Sequence, residues 1–209
     1  MNQIQKIGLI FSLCLMIFSV PAHALMELSG SFSYDRTIYG AQRQNKQIDR
    51  TWIGTIAVFL FEKTALELNY TYGDEITQEN EVIPISGFNL NQISTEGKVN
   101  SEVFGVGLRQ VFSGRQARFK PSLSLGYAKQ FIRSESTSTY QDTSNSNILI
   151  FKSDPSKSRI DSVFATFAIQ FGLTKRISLR GSVNTLFEAD DFNSAKDNLK
   201  YMAGFSWVL

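Results

Sequence analysis

Tyr201-Met202-Ala203-Gly204-Phe205-Ser206-Trp207-Val208-Leu209 decides the fold of this chain. The odd positions carry Tyr201, Ala203, Phe205, Trp207 and Leu209. The even positions, Met202, Gly204, Ser206 and Val208, are for the most part smaller or more polar. A period of two predicts a strand with two unlike faces. In water an exposed, aromatic terminal strand is an aggregation hazard. In a membrane its outward face meets lipid, and the last strand pairs with the first to close a barrel. Tyr201, Phe205, Trp207 and Leu209 are then the outward face, and Lys200 points to the lumen.

Working back from this stretch, the same period recurs in seven further segments, about 26–35, 50–61, 65–73, 98–112, 119–133, 159–171 and 177–187. The third is the clearest: Leu66, Leu68, Tyr70 and Tyr72 oppose Glu67, Asn69 and Thr71. In the sixth, Val163, Ala165, Phe167, Ile169 and Phe171 oppose Ser162, Thr166, Ala168 and Gln170. The seventh sets Ile177, Leu179, Val183 and Phe187 against Ser178, Arg180, Ser182 and Asn184. The second is apolar on both faces, and its parity stays open.

Connections alternate in length. Segments two and three are joined by Glu62-Lys63-Thr64, four and five by 113–118, and six and seven by 172–176. The links 36–49, 74–97, 134–158 and 188–198 are long and polar. Membrane barrels of the outer-membrane kind have short periplasmic turns and longer extracellular loops, and an even strand count puts both termini on the periplasmic side. A soluble barrel of the same size fills its interior with large apolar side chains. Here one face is mostly Ser, Thr, Asn, Gln, Gly and charge, a poor soluble core but a suitable hydrogen-bonded lumen. The predicted fold class is all-β, an eight-stranded antiparallel up-and-down transmembrane barrel spanning 25–209.

The first residues predict the compartment. Lys6 precedes an apolar run from Ile7 to Val20, Pro21 breaks it, and Ala22-His23-Ala24 offers a small-x-small cleavage site. A spanning helix needs about 20 apolar residues, so 1–24 reads as a cleaved signal peptide. Leu13 is too bulky for lipoprotein processing at Cys14. Cleavage removes the one Cys and the one His of the chain, which excludes a disulfide framework. Lys and Arg number 21 against 19 Asp and Glu, so no basic field argues for nucleic acid.

Signal, strand count, loop alternation and terminal strand together resemble the small eight-stranded outer-membrane barrels of Gram-negative bacteria, typified by the barrel domain of outer membrane protein A and by outer membrane protein X. The resemblance implies residence in the bacterial outer membrane as a monomer among lipid and lipopolysaccharide. It also implies that the terminal strand is read by the barrel-assembly machinery. The chain departs from the common pattern in ending on Leu209 rather than Phe or Trp, although Trp207 keeps an aromatic on the same face. With no peptidoglycan-binding domain after Leu209, that anchoring role is not expected.

Without His or Cys in the mature chain, Ser-His and Cys nucleophile pairs and thiolate or imidazole metal sites are excluded. Carboxylates remain, Asp190-Asp191 and Asp74, Glu75, Glu79 and Glu81, and read as solvated loop surface. No catalysis, cofactor or metal is expected. Parity places Glu67, Arg109, Arg180 and Lys200 inward, with Glu27 and Lys120 near the periplasmic rim. Glu67, Arg109 and Arg180 each lie close to a short turn and so at similar depth. A buried Glu67 requires a facing Arg, because an isolated charge is costly there. The family resemblance implies that Glu67 and Arg180 occupy the positions of a lumen salt-bridge network that can gate a narrow water path. The plainer reading is a plug that holds the barrel together.

Specific function is expected in the loops. Arg36, Arg43, Lys46 and Arg50 in the first loop, and Lys129 on the outward face near the outer rim, are candidate contacts to lipopolysaccharide phosphates. Ile148-Leu149-Ile150-Phe151, apolar within a Ser-Thr-Asn-rich loop, suggests a hairpin extension or a contact patch, with simple loop packing as the plainer reading. The expected function is structural and surface-interacting: envelope integrity, or adhesion to a cell-surface or host ligand. The alternative is a narrow channel for water, ions or small solutes.

Overall fold

The computed structural model describes residues 25–114, 117–189 and 198–209. The predicted signal peptide, with Cys14 and His23, and the pair Asp190-Asp191 lie outside the described residues. Eight long strands build the barrel: β1 (Met26–Tyr39), β2 (Asn45–Phe59), β3 (Thr64–Glu79), β5 (Leu90–Val111), β6 (Phe119–Asp142), β8 (Ser156–Gly172), β9 (Ile177–Glu188) and β10 (Lys200–Val208). Two short strands, β4 (Ile83–Ile85) and β7 (Ile148–Lys152), add to its outer end. Every pairing is antiparallel, and β1 closes on β10 with Leu28 opposite Trp207 and Phe32 opposite Ala203.

The two faces separate as the period predicts. Tyr201, Phe205, Trp207 and Leu209 are exposed on the outside, while Met202 and Ser206 are buried inside. The exterior carries Leu66, Leu68, Tyr70, Phe104, Val106, Leu108, Leu125, Phe167 and Leu179, all exposed. A surface so apolar is stable only against hydrocarbon. Aromatic rings stack across neighbouring strands on this face, Phe32 with Trp52 at 4.2 Å and Tyr70 with Phe104 at 4.9 Å. The structure also resolves the second strand: Thr51, Thr55 and Ala57 are buried inside, and Trp52 and Ile56 are exposed outside.

The links 36–49, 74–97 and 134–158 are a correction to the expectation of long loops. The ladders run on, to Tyr39 opposite Asn45, Glu79 opposite Thr95, and Ser134 opposite Ser156. β6 alone spans 24 residues, against the ~9–11 needed to cross a bilayer. The excess lifts the sheet on the order of 30 Å above the apolar belt, for ~3.3 Å per residue and a tilted strand. Where both faces of a strand meet water no apolar side is required, so the period-two signal fades although the pairing continues. Ile148–Lys152 forms the hairpin extension, pairing with β6 from Gln141 to Thr137.

Candidate functional site

Near its periplasmic end the lumen holds a buried ionic network. Odd positions of β1, β3 and β5 and even positions of β6, β8 and β9 face inward, which brings Glu27, Glu67, Arg109, Ser124, Gln170 and Arg180 together, all buried. Arg109 donates from Nε to Glu67 Oε2 at 2.6 Å and from Nη1 to Glu27 Oε1 at 2.8 Å. The Ser124 hydroxyl donates to the same Glu67 oxygen at 2.7 Å, and the Gln170 amide to the same Glu27 oxygen at 2.6 Å. One guanidinium therefore spans two carboxylates, and on each a neutral donor shares the oxygen that Arg109 holds. Buried charges persist under these conditions, since pairing and hydrogen bonds offset desolvation.

The expected lumen residues divide between two places. Glu67 and Arg109 pair directly. Glu27, expected at the rim, lies within the network. Arg180 faces the same space but makes no ion pair with Glu67; the residue on the neighbouring strand, Arg109, takes that place. Lys200 stands apart, higher in the lumen. Its Nζ donates to Asp49 Oδ2 at 2.7 Å and to Thr51 Oγ1 at 3.0 Å, and this pair is part exposed, 40 % and 26 % for the two side chains. Asp49 escapes the sequence reading because it falls in the link 36–49, just before a predicted strand of open parity, whereas β2 begins at Asn45. The alternation Asp49, Thr51, Thr55, Ala57 on one face was the available signal.

Between the two charge centres the lumen is closed by Phe164, packed with Val103, Ala128 and Leu186. Phe164 stands on the otherwise small-polar face of β8 and was also missed. Its ring fits because Gly107 and Gly126 face each other across β5 and β6. A Cβ on Gly107 would come within 2.7 Å of the ring. Above Phe164 a cavity of about 540 Å³ opens toward the outer end, lined by residues that include Thr51, Asn69, Ser101, Gln130, Asn184 and Lys200. Phe187, expected on the lipid face, is buried, 8 % exposed, and lines this cavity.

The candidate lipopolysaccharide contacts fall on strands rather than in a loop. Arg36 lies on β1 and Lys46 and Arg50 on β2, with Tyr34 opposite Arg50. Arg43 alone sits in the turn, at φ 57°. On the far wall Lys129 lies 3.7 Å from Asp161, Arg159 stands over the Phe131 ring at 5.8 Å, and Arg133 is opposite Lys157. Among the described residues no cluster of three or more His, Cys, Asp or Glu is assembled to hold a metal.

No family profile and no curated protein matches the sequence. Solved structures do match in fold. The outer membrane protein OprG of Pseudomonas aeruginosa is 13% identical at a TM-score of 0.53, over 89% of this chain and 96% of that one. The N-terminal β-barrel domain of Pseudomonas aeruginosa OprF is 12% identical at a TM-score of 0.50, over 89% of this chain and 98% of that one. Identities this low carry the fold alone. That fold, joined to the apolar outer belt and the polar, ion-paired lumen, makes the chain a small eight-stranded transmembrane β-barrel of the type seen in outer-membrane proteins.

Proposed function

We propose that this protein is a monomeric, non-catalytic outer-membrane barrel that supports the envelope and presents a raised sheet to ligands at the cell surface. One observation carries the reading: the β4-β5-β6-β7 extension rises well clear of the belt and exposes an apolar face. Register puts Ile83, Ile85, Leu90, Tyr140, Leu149 and Phe151 on one side of it. Ile83, Leu149 and Phe151 are exposed, and Tyr140 packs on Phe151 at 5.5 Å. Exposed apolar surface outside the bilayer marks a site of contact. The aromatic terminal strand suits recognition by the barrel-assembly machinery, and the cations on the outer walls suit lipopolysaccharide phosphates.

The test replaces 144–153 with a short turn and measures adhesion of cells carrying the variant to host cells and to one another. Loss of adhesion with normal heat-modifiable gel migration supports the reading; unchanged adhesion sinks it. The channel alternative has the cavity above Phe164 in its favour, but the Phe164 cluster and the Arg109 network lie across the path below it. Planar-bilayer recordings are expected to show no steady open conductance.

A further inference from the structure

The raised sheet ends in β4 on one side and β7 on the other, and neither has a second neighbour among the described residues. A strand edge left open in water is a template for a further strand. Two of the open edges are blunted. β4 is three residues long and centred on Pro84, which has no N–H to offer. The stretch of β8 above its pairing with β9, residues 156–161, carries Lys157, Arg159 and Asp161. β7 is not blunted. Ile148-Leu149-Ile150-Phe151-Lys152 is exposed throughout, with four apolar residues in a row and its one charge at the end.

The Asp142 N–H donates to Asn147 O at 2.8 Å and the Ser153 N–H to Ser136 O at 2.9 Å. Hydrogen-bonded positions alternate along an antiparallel ladder, so Asn147, Leu149, Phe151 and Ser153 turn their backbone groups to β6. Ile148, Ile150 and Lys152 turn theirs to the open edge. That edge complements itself. Laid antiparallel about Ile150, it sets Ile150 against Ile150 and Ile148 against Lys152, so edge-facing residues meet edge-facing residues and can exchange N–H···O bonds. Leu149 then adjoins Phe151 on one side of the sheet, and no charge opposes a like charge.

Strand direction decides where the second copy stands. β6 climbs from the short turn before Phe119, and β7 runs back toward the membrane. A neighbour in the same membrane has its own β7 running the same way. A twofold axis along the membrane normal would turn its sheet over, setting the Leu149 and Phe151 face of one copy beside the opposite face of the other. The neighbour's β4 runs the antiparallel way but brings Pro84 to the junction. Two β7 strands pair antiparallel when the second barrel points the other way, from a facing membrane.

We propose that β7 is a self-recognising contact strand: copies on two facing cells pair antiparallel about Ile150 and join their raised sheets into one of eight strands, four from each. The inference rests on the surface role proposed above and names its partner as a second copy of this chain. A contact of five residues a side is weak alone, and its strength between cells comes from many acting together. Each barrel stays a monomer in its own membrane.

The test mixes two cell populations whose full-length barrels carry different peptide tags. Ile150→Cys puts thiols on the twofold at a Cα separation of ~5.5 Å, within disulfide reach; Cys14, the one native cysteine, lies in the predicted signal peptide. Under mild oxidation a dimer carrying both tags is expected. Ile148→Cys leaves the two thiols offset by roughly 14 Å along the strands and is expected to give none. Ile150→Pro removes the edge N–H without touching the β6 ladder. It is expected to weaken each contact about tenfold and so to abolish clumping of cells. These results together support the pairing. Dimers bearing one tag only, equal cross-linking from Ile148→Cys, or clumping that survives Ile150→Pro overturns it. Adhesion to host cells is scored in parallel. If it persists without a two-tag dimer, self-pairing alone fails; if replacing 144–153 changes no adhesion of either kind, the surface role itself fails. Should Ile150→Pro lose heat-modifiable migration, the two cysteine variants still decide the matter.

Discussion

The lower and upper halves of this barrel are built from the same strands but held by different forces. Below Phe164 the wall separates lipid from an interior in which Arg109, Glu27, Glu67 and Arg180 are buried; the first three are 1 %, 5 % and 2 % exposed. Above it the ladders continue into water, the ion pair of Lys200 with Asp49 is part exposed, and the apolar Ile83, Leu149 and Phe151 of β4 and β7 are exposed. The difference teaches that the lower half is fixed by buried charges whose pairing offsets their desolvation, so that neither partner can be removed alone without a large cost. The upper half is held mainly by backbone pairing and is free to carry ligand-facing side chains.

Perturbations graded along the axis sharpen or break that contrast. Arg109→Met leaves Glu27 and Glu67 buried without their cation and is expected to destabilise the barrel by ~3–5 kcal/mol. Urea unfolding in lipid vesicles measures this; a shift no larger than that of an exposed loop substitution breaks the comparison. Phe164→Ala empties the floor between the halves and is expected to cost about 3–4 kcal/mol, read by the same unfolding experiment. It should also lower the block to ion flow, which bilayer recording detects. Asp49→Asn removes a pair that solvent already screens, so its cost is expected to be under about 1 kcal/mol; a loss matching Arg109→Met would erase the distinction between the halves. The smallest effect on stability is expected for Phe151→Ser at the outer tip, about 0.5 kcal/mol or less for an exposed site, with adhesion reduced nonetheless.

The sequence shows the same division. In the membrane-spanning half, Leu66-Glu67-Leu68-Asn69-Tyr70 and the terminal Tyr201–Leu209 announce both pairing and sidedness, because lipid on one side and a narrow lumen on the other impose alternation. Higher up, Thr95–Glu96 and Ser134–Thr139 read as loop although they are strand, since water on both faces imposes no period. Phe164 was illegible for another reason: a large side chain on the small-residue face is accommodated only because Gly107 and Gly126 meet opposite it, a relation between two other strands.

The candidate lumen charges follow the same rule. That Glu67, Arg109, Arg180 and Lys200 point inward follows from parity alone, as strand geometry fixes which face each residue joins. Their partners did not follow. Which Arg reaches Glu67, that Glu27 completes the pair, that Lys200 finds Asp49 instead, and that Arg180 is left without a carboxylate depend on register and curvature around a closed barrel, set by eight pairings at once. A strand's own residues determine its faces, because alternation is local. Closure alone determines what meets across the lumen, because those contacts join positions as far apart in sequence as Glu27 and Gln170.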